Sequence, residues 1–512
     1  MLRLALALLF TLLLVWAQRP IGSATLTVQT GPGMPSRIYL RKGNSPFRLT
    51  PVDGVLPLKS DVFYRDRPFL RKPDPAAVEV ICRDQYHYLL LKGAATFQLP
   101  PGEYTLEAYR GFFYTPASES FTLKPEESRT VTLPLKPWTG VDPAQWITAD
   151  DHIHLTRERP DDPLFLSWLE AEDLTVGNFL QLQRQMDAAP QYGFGPAAEA
   201  RRGRYSIRSG HESRNEFWGH INILGPRRLI RPLSTGLMYA NTPESYPFPS
   251  LLFAAGRREG ATVGYAHFFQ PPQHSAIYID AVLGNIDFVE VFQFGVLKLE
   301  PWYELLNAGL KVTGIAGSDF PVNLNGRTPW PNWLPLIGPE RAVTKAPPGR
   351  ESSYETWARA VRDGAITVTN GPIVELSHDR AAGTATARAA FFRPLEAVEI
   401  VRNGEVIAAG PGPEIEARIE CPESCWIAAR TRARKLPGDP ESLPVLQAHT
   451  NPVYVLRDGK PVHVPAARAS LAAKLEAEVE FFRSAEIRFP GTPQRDEFFE
   501  TAAHALAELR EP

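Results

Sequence analysis

Between residues 146 and 363 the chain alternates strand-like apolar runs with helical stretches, and on the N-terminal side of that segment the helical stretches vanish. The strand-like runs cover 146–155, 175–180, 220–224, 262–267, 288–292 and 311–316. Helices are predicted at 163–172, 250–259, 300–308 and 354–363. Alternation of this kind points to a parallel sheet or an α/β barrel. Upstream, short alternating runs recur at 25–30, 77–82, 95–99, 104–109, 120–123 and 130–135, punctuated by turn signals such as Pro100-Pro101-Gly102-Glu103, so that region reads as all-β. Downstream of residue 373 the β pattern returns at 397–402, 414–419, 425–430 and 452–456, with Asn403-Gly404 as a hairpin turn.

A chain of 512 residues that is 44% hydrophobic can bury a sizeable core, and at about 100–200 residues per domain it divides into about three folded units. The expected order is a β-sandwich at 24–136, an α/β barrel at 145–372, a β domain at 373–464 and a helical segment at 466–512. The 55 basic residues barely differ from the 57 acidic ones, which gives no basis for a nucleic-acid partner. Forty-nine prolines fit loops and edge strands better than a helical bundle. No Gly-rich dinucleotide or phosphate loop follows a strand, so no organic cofactor is expected.

Arg3 precedes an apolar run from Leu4 to Trp16, too short to span a bilayer core of about 30 Å. With small residues following, residues 1–17 have the layout of a signal peptide. The expectation is an exported protein, periplasmic or extracellular, with no stable membrane anchor after processing. Of the three cysteines, Cys421 and Cys425 can close a small disulfide loop or stay free, and Cys82 stands apart.

The chemistry concentrates in the middle segment. In Asp150-Asp151-His152-Ile153-His154, residues two apart on a strand share a face. His152 and His154 can therefore present two imidazoles together with the Asp150 carboxylate, a donor set suited to zinc, manganese or iron, or else serve as structural histidines. Four further features sit near strand ends: Gly210-His211-Glu212, Gly219-His220-Ile221-Asn222, Gly264-Tyr265-Ala266-His267 and Gly317-Ser318-Asp319. Functional groups gather at such ends in α/β barrels.

In this order, these motifs resemble the metal-binding motifs of the PHP superfamily, and within it the carbaryl-hydrolase (CehA/McbA-type) branch. The likeness runs from residue 147 to about 460. It includes the segment from Glu355 to Asn370-Gly371-Pro372 and the segment Ala448-His449-Thr450-Asn451-Pro452. Residues 95–106 are similar to a strand–turn–strand of prealbumin-like sandwich modules. The superfamily resemblance implies a distorted (β/α)7 barrel with His152, His154, Glu212 and Asp319 on one metal. Glu212 would bridge to a second metal held by His220 and His267. The positions of a third metal depart from the family pattern: Val176-Gly177-Asn178-Phe179-Leu180 replaces an Asp-His pair, and Asp319-Phe320-Pro321 replaces Asp-x-His.

The implied function is a two-metal hydrolase, with Glu212 and Asp319 at its catalytic centre and metal-bound hydroxide as nucleophile. Its substrate would be a small or phosphorylated molecule with an ester, carbamate, amide or phosphoester bond. The alternative is an exported binding protein on a decayed barrel. Asp150 and Asp151 are candidate acceptors behind the histidine ligands. Arg157 and Arg214 are candidate anion clamps or ion-pair partners. His211 and His274 are candidate acids or polar surface. His449 is expected to hydrogen-bond within the C-terminal region. Phe268, Phe269, Phe292 and Phe294 are pocket walls or core.

Overall fold

The computed structural model describes residues 22–31, 33–50, 58–59, 76–82, 86–184, 186–268, 274–321, 336–347, 353–437, 439, 444–484 and 487–511. The expected signal segment, Phe269 and the Cys82 side chain lie outside the described set. The structure is mostly β-sheet, in several sheets, with a helical C-terminal tail.

Near the N-terminus, strand Ala24–Gln29 lies between Ser128–Thr132 and Ala94–Leu99. A second sheet places Gly102–Tyr109 beside Pro35–Lys42, which pairs in turn with Tyr86–Lys92. Alternation decides what is buried. Ala24, Leu26 and Val28 point inward and the threonines between them do not. They share one core with Ile38, Leu40, Phe97, Leu106 and Phe121 from both sheets.

The central sheet carries the candidate ligands. Its strands are β1 (Trp146–Ile153), β2 (Val176–Arg184), β3 (Tyr205–Asn215), β4 (Gly219–Leu224), β5 (Thr262–Tyr265), β6 (Phe288–Gln293) and β7 (Thr313–Ala316). β1, β2 and β3 pair in parallel, as do β5, β6 and β7. β4 is antiparallel to both β3 and β5, which departs from the expected all-parallel alternation. The reason is local. Only Glu216, Phe217 and Trp218 separate β3 from β4, and a parallel crossover needs a dozen residues or more. Beyond β7 the chain returns to β1, where the Phe320 amide donates to the His152 carbonyl (3.1 Å) and the His154 amide to the Phe320 carbonyl (2.7 Å). An isolated parallel bridge thereby joins Ile153 to Phe320. Helices α1 (Asp162–Ala171), α2 (Pro249–Arg258), α3 (Ile277–Val282) and α4 (Glu300–Asn307) occupy the connections; α3 carries no signal strong enough to expect it. All eight residues of β1 are buried, as in a strand covered on both faces.

The same sheet continues into the C-terminal β region. Strand Arg341–Lys345 pairs with the start of β1, Thr367–Thr369 joins it, and Gln447–Thr450 and Cys425–Ala433 follow. Asn451 locks this junction: its amide donates to the Gly314 and Ile366 carbonyls (2.8 and 2.9 Å) and accepts from the Gly314 amide (2.8 Å). His449 is buried between the Tyr303 hydroxyl and the Thr450 carbonyl, and burial pushes its imidazole down to about 3. Cys421 and Cys425 are disulfide-bonded within the core of the same region. The tail helices α5 (Pro465–Ser484) and α6 (Thr492–Arg510) place Leu471, Leu475, Phe482 and Phe498 in the core of the central unit, beside Trp218 and Phe248.

Candidate metal centre

Each ligand-type side chain is delivered by a strand or the turn just past one. His152 is the last residue but one of β1 and His154 follows the strand. Glu212 lies on β3, and His220 is the second residue of β4. Because β3 and β4 form an antiparallel hairpin, the late part of one and the start of the other share an end of the sheet, with Glu212 opposite Asn222 and Arg214 opposite His220. His267 and Asp319 sit just after β5 and β7, both in the left-handed backbone region, at φ 30° and 51°. Non-glycine residues held there cost energy and cluster at functional sites.

These six residues form two buried groups, His152, His154 and Asp319 in one, and Glu212, His220 and His267 in the other. Either could hold a metal ion. The Nε2 atoms of His152 and His154 are 3.0 Å apart, and Asp319 Oδ1 lies 3.4 and 3.2 Å from them. Glu212 Oε2 completes a tetrad, 3.3 Å from His154 Nε2 and 3.8 Å from His152 Nε2. Ligands about 2.0–2.1 Å from a tetrahedral ion stand roughly 3.3–3.4 Å from one another, so the tetrad fits. The other Glu212 oxygen, Oε1, faces His220 Nδ1 at 3.0 Å and His267 Nε2 at 3.6 Å, with 2.9 Å between those two nitrogens. Glu212 Oε1 and Asp319 Oδ1 are buried without a hydrogen-bond donor among the described residues: the imidazole nitrogens converge with them on common points.

The electrostatics agree. Burial opposes charge on Glu212, yet the Arg214 guanidinium and the imidazoles of His152, His154 and His220 hold its carboxyl well below the usual range. Burial alone would depress His152, but Glu290, Asp319 and Glu212 hold it well above the ordinary imidazole value. A proton there supplies positive charge that a bound cation would supply instead. Burial pushes His220 down to about 4, leaving it neutral, as a ligand must be.

The expected acceptors behind the histidines are corrected. Asp150 accepts from the backbone amides of His152, Ser318 and Gly338 and from the Ser318 hydroxyl, at 2.6–3.0 Å. It fixes the turn that presents Asp319, and it touches no imidazole. Asp151 is fully buried, and burial together with Glu290 pushes its carboxyl well above the usual range. The acceptors are instead Glu290 Oε1, 2.8 Å from His152 Nδ1, and the Leu180 carbonyl, 2.8 Å from His154 Nδ1. Glu290 also accepts from Asn222 Nδ2 (2.6 Å), the His267 amide (2.6 Å) and Gln293 Nε2 (3.0 Å). It therefore orients one ligand from each group. A register shift between Glu290 and Phe292 brings Gln293 to the same side. A glutamate inside the apolar run 288–292 was the available signal, since a buried carboxylate is rare without partners. Replacing Glu290 by Ala is expected to weaken metal binding by about 10–100-fold with every ligand intact, as loss of an outer-shell partner does. Competition with a colorimetric chelator measures it, and unchanged affinity would remove Glu290 from the centre.

The remaining candidates separate. Arg214 donates to Glu212 Oε2 (Nε, 2.7 Å), so it offsets the charge of the carboxylate that faces both groups. Arg157 is buried and held by Asp162, Ser209, Tyr192 and the Ala198 carbonyl, an internal tie. His211 points away from Glu212 along β3; burial, then Arg231, pushes it down to about 3. His274 stacks on Phe481 and pairs with Glu478 of the tail. Phe268, Phe292 and Phe294 are buried. At the first position of divergence, Asn178 donates to the Asp150 carbonyl and Leu180 serves His154, so these residues support the first ligand group. Tyr239, missed in the sequence, packs its ring edge-on to His220, with centroids 5.0 Å apart. Comparison of the chain with family models, curated proteins and solved structures finds no match.

Proposed function

We propose that the protein is an exported metal-dependent hydrolase built on a PHP-type distorted (β/α)7 barrel, similar to the carbaryl-hydrolase branch. The observation that carries this reading is Glu212, whose two oxygens address separate ligand groups. A carboxylate so placed suits two divalent cations, which about 3.5–4 Å apart need an anion between them. When bound, such ions polarise a carbonyl or phosphoryl oxygen and lower the pKa of water. His152, His154, Asp319 and Glu212 would hold one ion, and Glu212, His220 and His267 the other. Arg214 limits the negative charge at the bridge, and Glu290 fixes the ring of His152. Tyr239 walls the His220 side, and the exposed Leu237 and Met238 next to it offer apolar contact. The substrate class is an ester, carbamate, amide or phosphoester. The departures at Asn178 and Leu180 support a second reading, a binding protein that has lost catalysis.

The test is elemental analysis of chelator-free protein before and after manganese or zinc loading, paired with hydrolysis of p-nitrophenyl esters, carbamates and phosphodiesters. About two ions per chain together with turnover of one bond type is the expected result. Metal without turnover favours the binding protein, and no retained metal under any loading rejects the centre.

A further inference from the structure

A second site lies away from the metal centre, where the N-terminal sheets, the central sheet and the C-terminal β region meet. A cavity of about 290 Å³ opens there, walled by Phe112, Tyr114, Ile337, Phe391 and Phe392. Each of the three regions contributes an apolar wall, and ligand sites favour such junctions. The wall holding Phe391 depends on Gly371, where an added Cβ would come within 3.0 Å of the Phe391 ring.

The charges at this cavity do not cancel. Arg37 pairs with Glu172 at 2.7 Å, and Arg393 pairs with Asp439. Arg341 is left over. It is 1% exposed, with Nε on the Gly338 carbonyl (2.6 Å), Nη1 on the Asp173 carbonyl (3.2 Å) and its guanidinium 4.1 Å from the centre of the Phe112 ring. Among the described residues no carboxylate forms an ion pair with it. The nearby Asp173 carboxylate accepts the Tyr205 hydroxyl (2.7 Å), and Glu172 is taken by Arg37. A buried guanidinium without a carboxylate partner is costly. Burial pulls this one down to about 10, although Glu172 and Asp173 work the other way.

We infer that this cavity is a binding site for a small monocarboxylate with a flat apolar body, its carboxylate on Arg341 and its ring among Phe112, Phe391 and Phe392. Planar two-point pairing suits guanidinium to a carboxylate, and aromatic walls suit a ring. The site is linked to the metal centre through one residue: the Gly338 carbonyl accepts from Arg341 and its amide donates to Asp150, which holds Ser318 beside Asp319. The inference stands independently of the hydrolase reading, because none of its residues is a candidate ligand.

Phenylacetate titrated into the full chain, followed by calorimetry and by the fluorescence of Trp138, which packs on Phe391 at 5.2 Å, is the test. Saturable binding is expected with Kd at or below about 1 mM, and 2-phenylethanol, which lacks the charge, should bind at least tenfold more weakly. Arg341→Met and Phe392→Asp should each weaken phenylacetate at least tenfold. Phe392 is 42% exposed, so that second variant does not depend on refilling a core position. Binding must persist in chelator-treated protein and in His154→Ala. No saturation, equal binding of the neutral analogue, indifference to both variants, or loss of binding with the metals would each overturn the site.

Discussion

Glu212→Gln is expected to empty both metal positions at once. The carboxylate is the single residue shared by the two groups, with Oε2 3.3 Å from His154 Nε2 and Oε1 3.0 Å from His220 Nδ1. A carboxamide carries no negative charge and turns an N–H₂ towards one of the two ligand sets, so it cannot serve both. Metal retention should fall by about 100-fold or more and hydrolysis with it. The carboxamide keeps an acceptor for Arg214, which now donates to Oε2 at 2.7 Å, and so spares the chain a buried guanidinium with nothing to bond. Folding should survive, visible as an unchanged circular dichroism spectrum. His267→Ala is the contrast: it belongs to one group only and should release about one ion of two. Elemental analysis of both variants separates the outcomes. Full metal content in Glu212→Gln would mean that the two groups do not share a bridge, and release of both ions by His267→Ala would mean that they are not separate positions.

The residues that could be recognised from sequence were those with the shortest spacings and the clearest chemistry. His152 and His154 are two apart on a strand, and their rings meet as that parity requires. His267 and Asp319 follow apolar runs that end sharply. Illegible were the elements whose polarity serves the site. β3 carries Ser206, Arg208, Ser209, His211, Glu212, Ser213, Arg214 and Asn215 and is nevertheless buried throughout. No hydrophobic alternation marks it as a strand, because polar side chains along it meet protein partners instead of water: Arg208 pairs with Glu199, Ser209 with Arg157 and Asn215 with Thr235. Glu290 is hidden for the opposite reason, since its neighbours make a good strand around one carboxyl. For Asp150, parity along β1 says which side the residue faces, not which group it meets. The register of β1 against β2 shifts after Asp150, and the Ser318 turn takes its carboxylate.

Trp218→Ala is expected to be the most damaging change outside the ligand set. Trp218 lies in the three-residue link between β3 and β4, with Asn215 Oδ1 accepting from the Phe217 and Trp218 amides (2.7 and 3.1 Å). Its indole is 1% exposed, packs against Phe482 and Phe498 of the tail helices at 4.9 and 4.6 Å, and donates to the Ser245 carbonyl at 2.7 Å. Truncation removes a large buried side chain and orphans that carbonyl, a loss of about 3–5 kcal/mol, which is a large share of a typical stability of about 5–15 kcal/mol. The damage should be directional. The tail helices lose their anchor first, so limited proteolysis should cut between α5 and α6 before the central sheet opens. His220, two residues on, loses the support of the link, so the second ion position should weaken more than the first. Trp218→Phe keeps most of the ring contact and loses the indole hydrogen bond, and should cost about 1–2 kcal/mol more than a neutral change for that reason. Urea unfolding gives the stabilities and proteolysis gives the order of events. A Trp218→Ala chain that unfolds at the unchanged midpoint, with its tail still protected, would show that the helices are held by other contacts and that the hairpin bearing Glu212 and His220 does not depend on them.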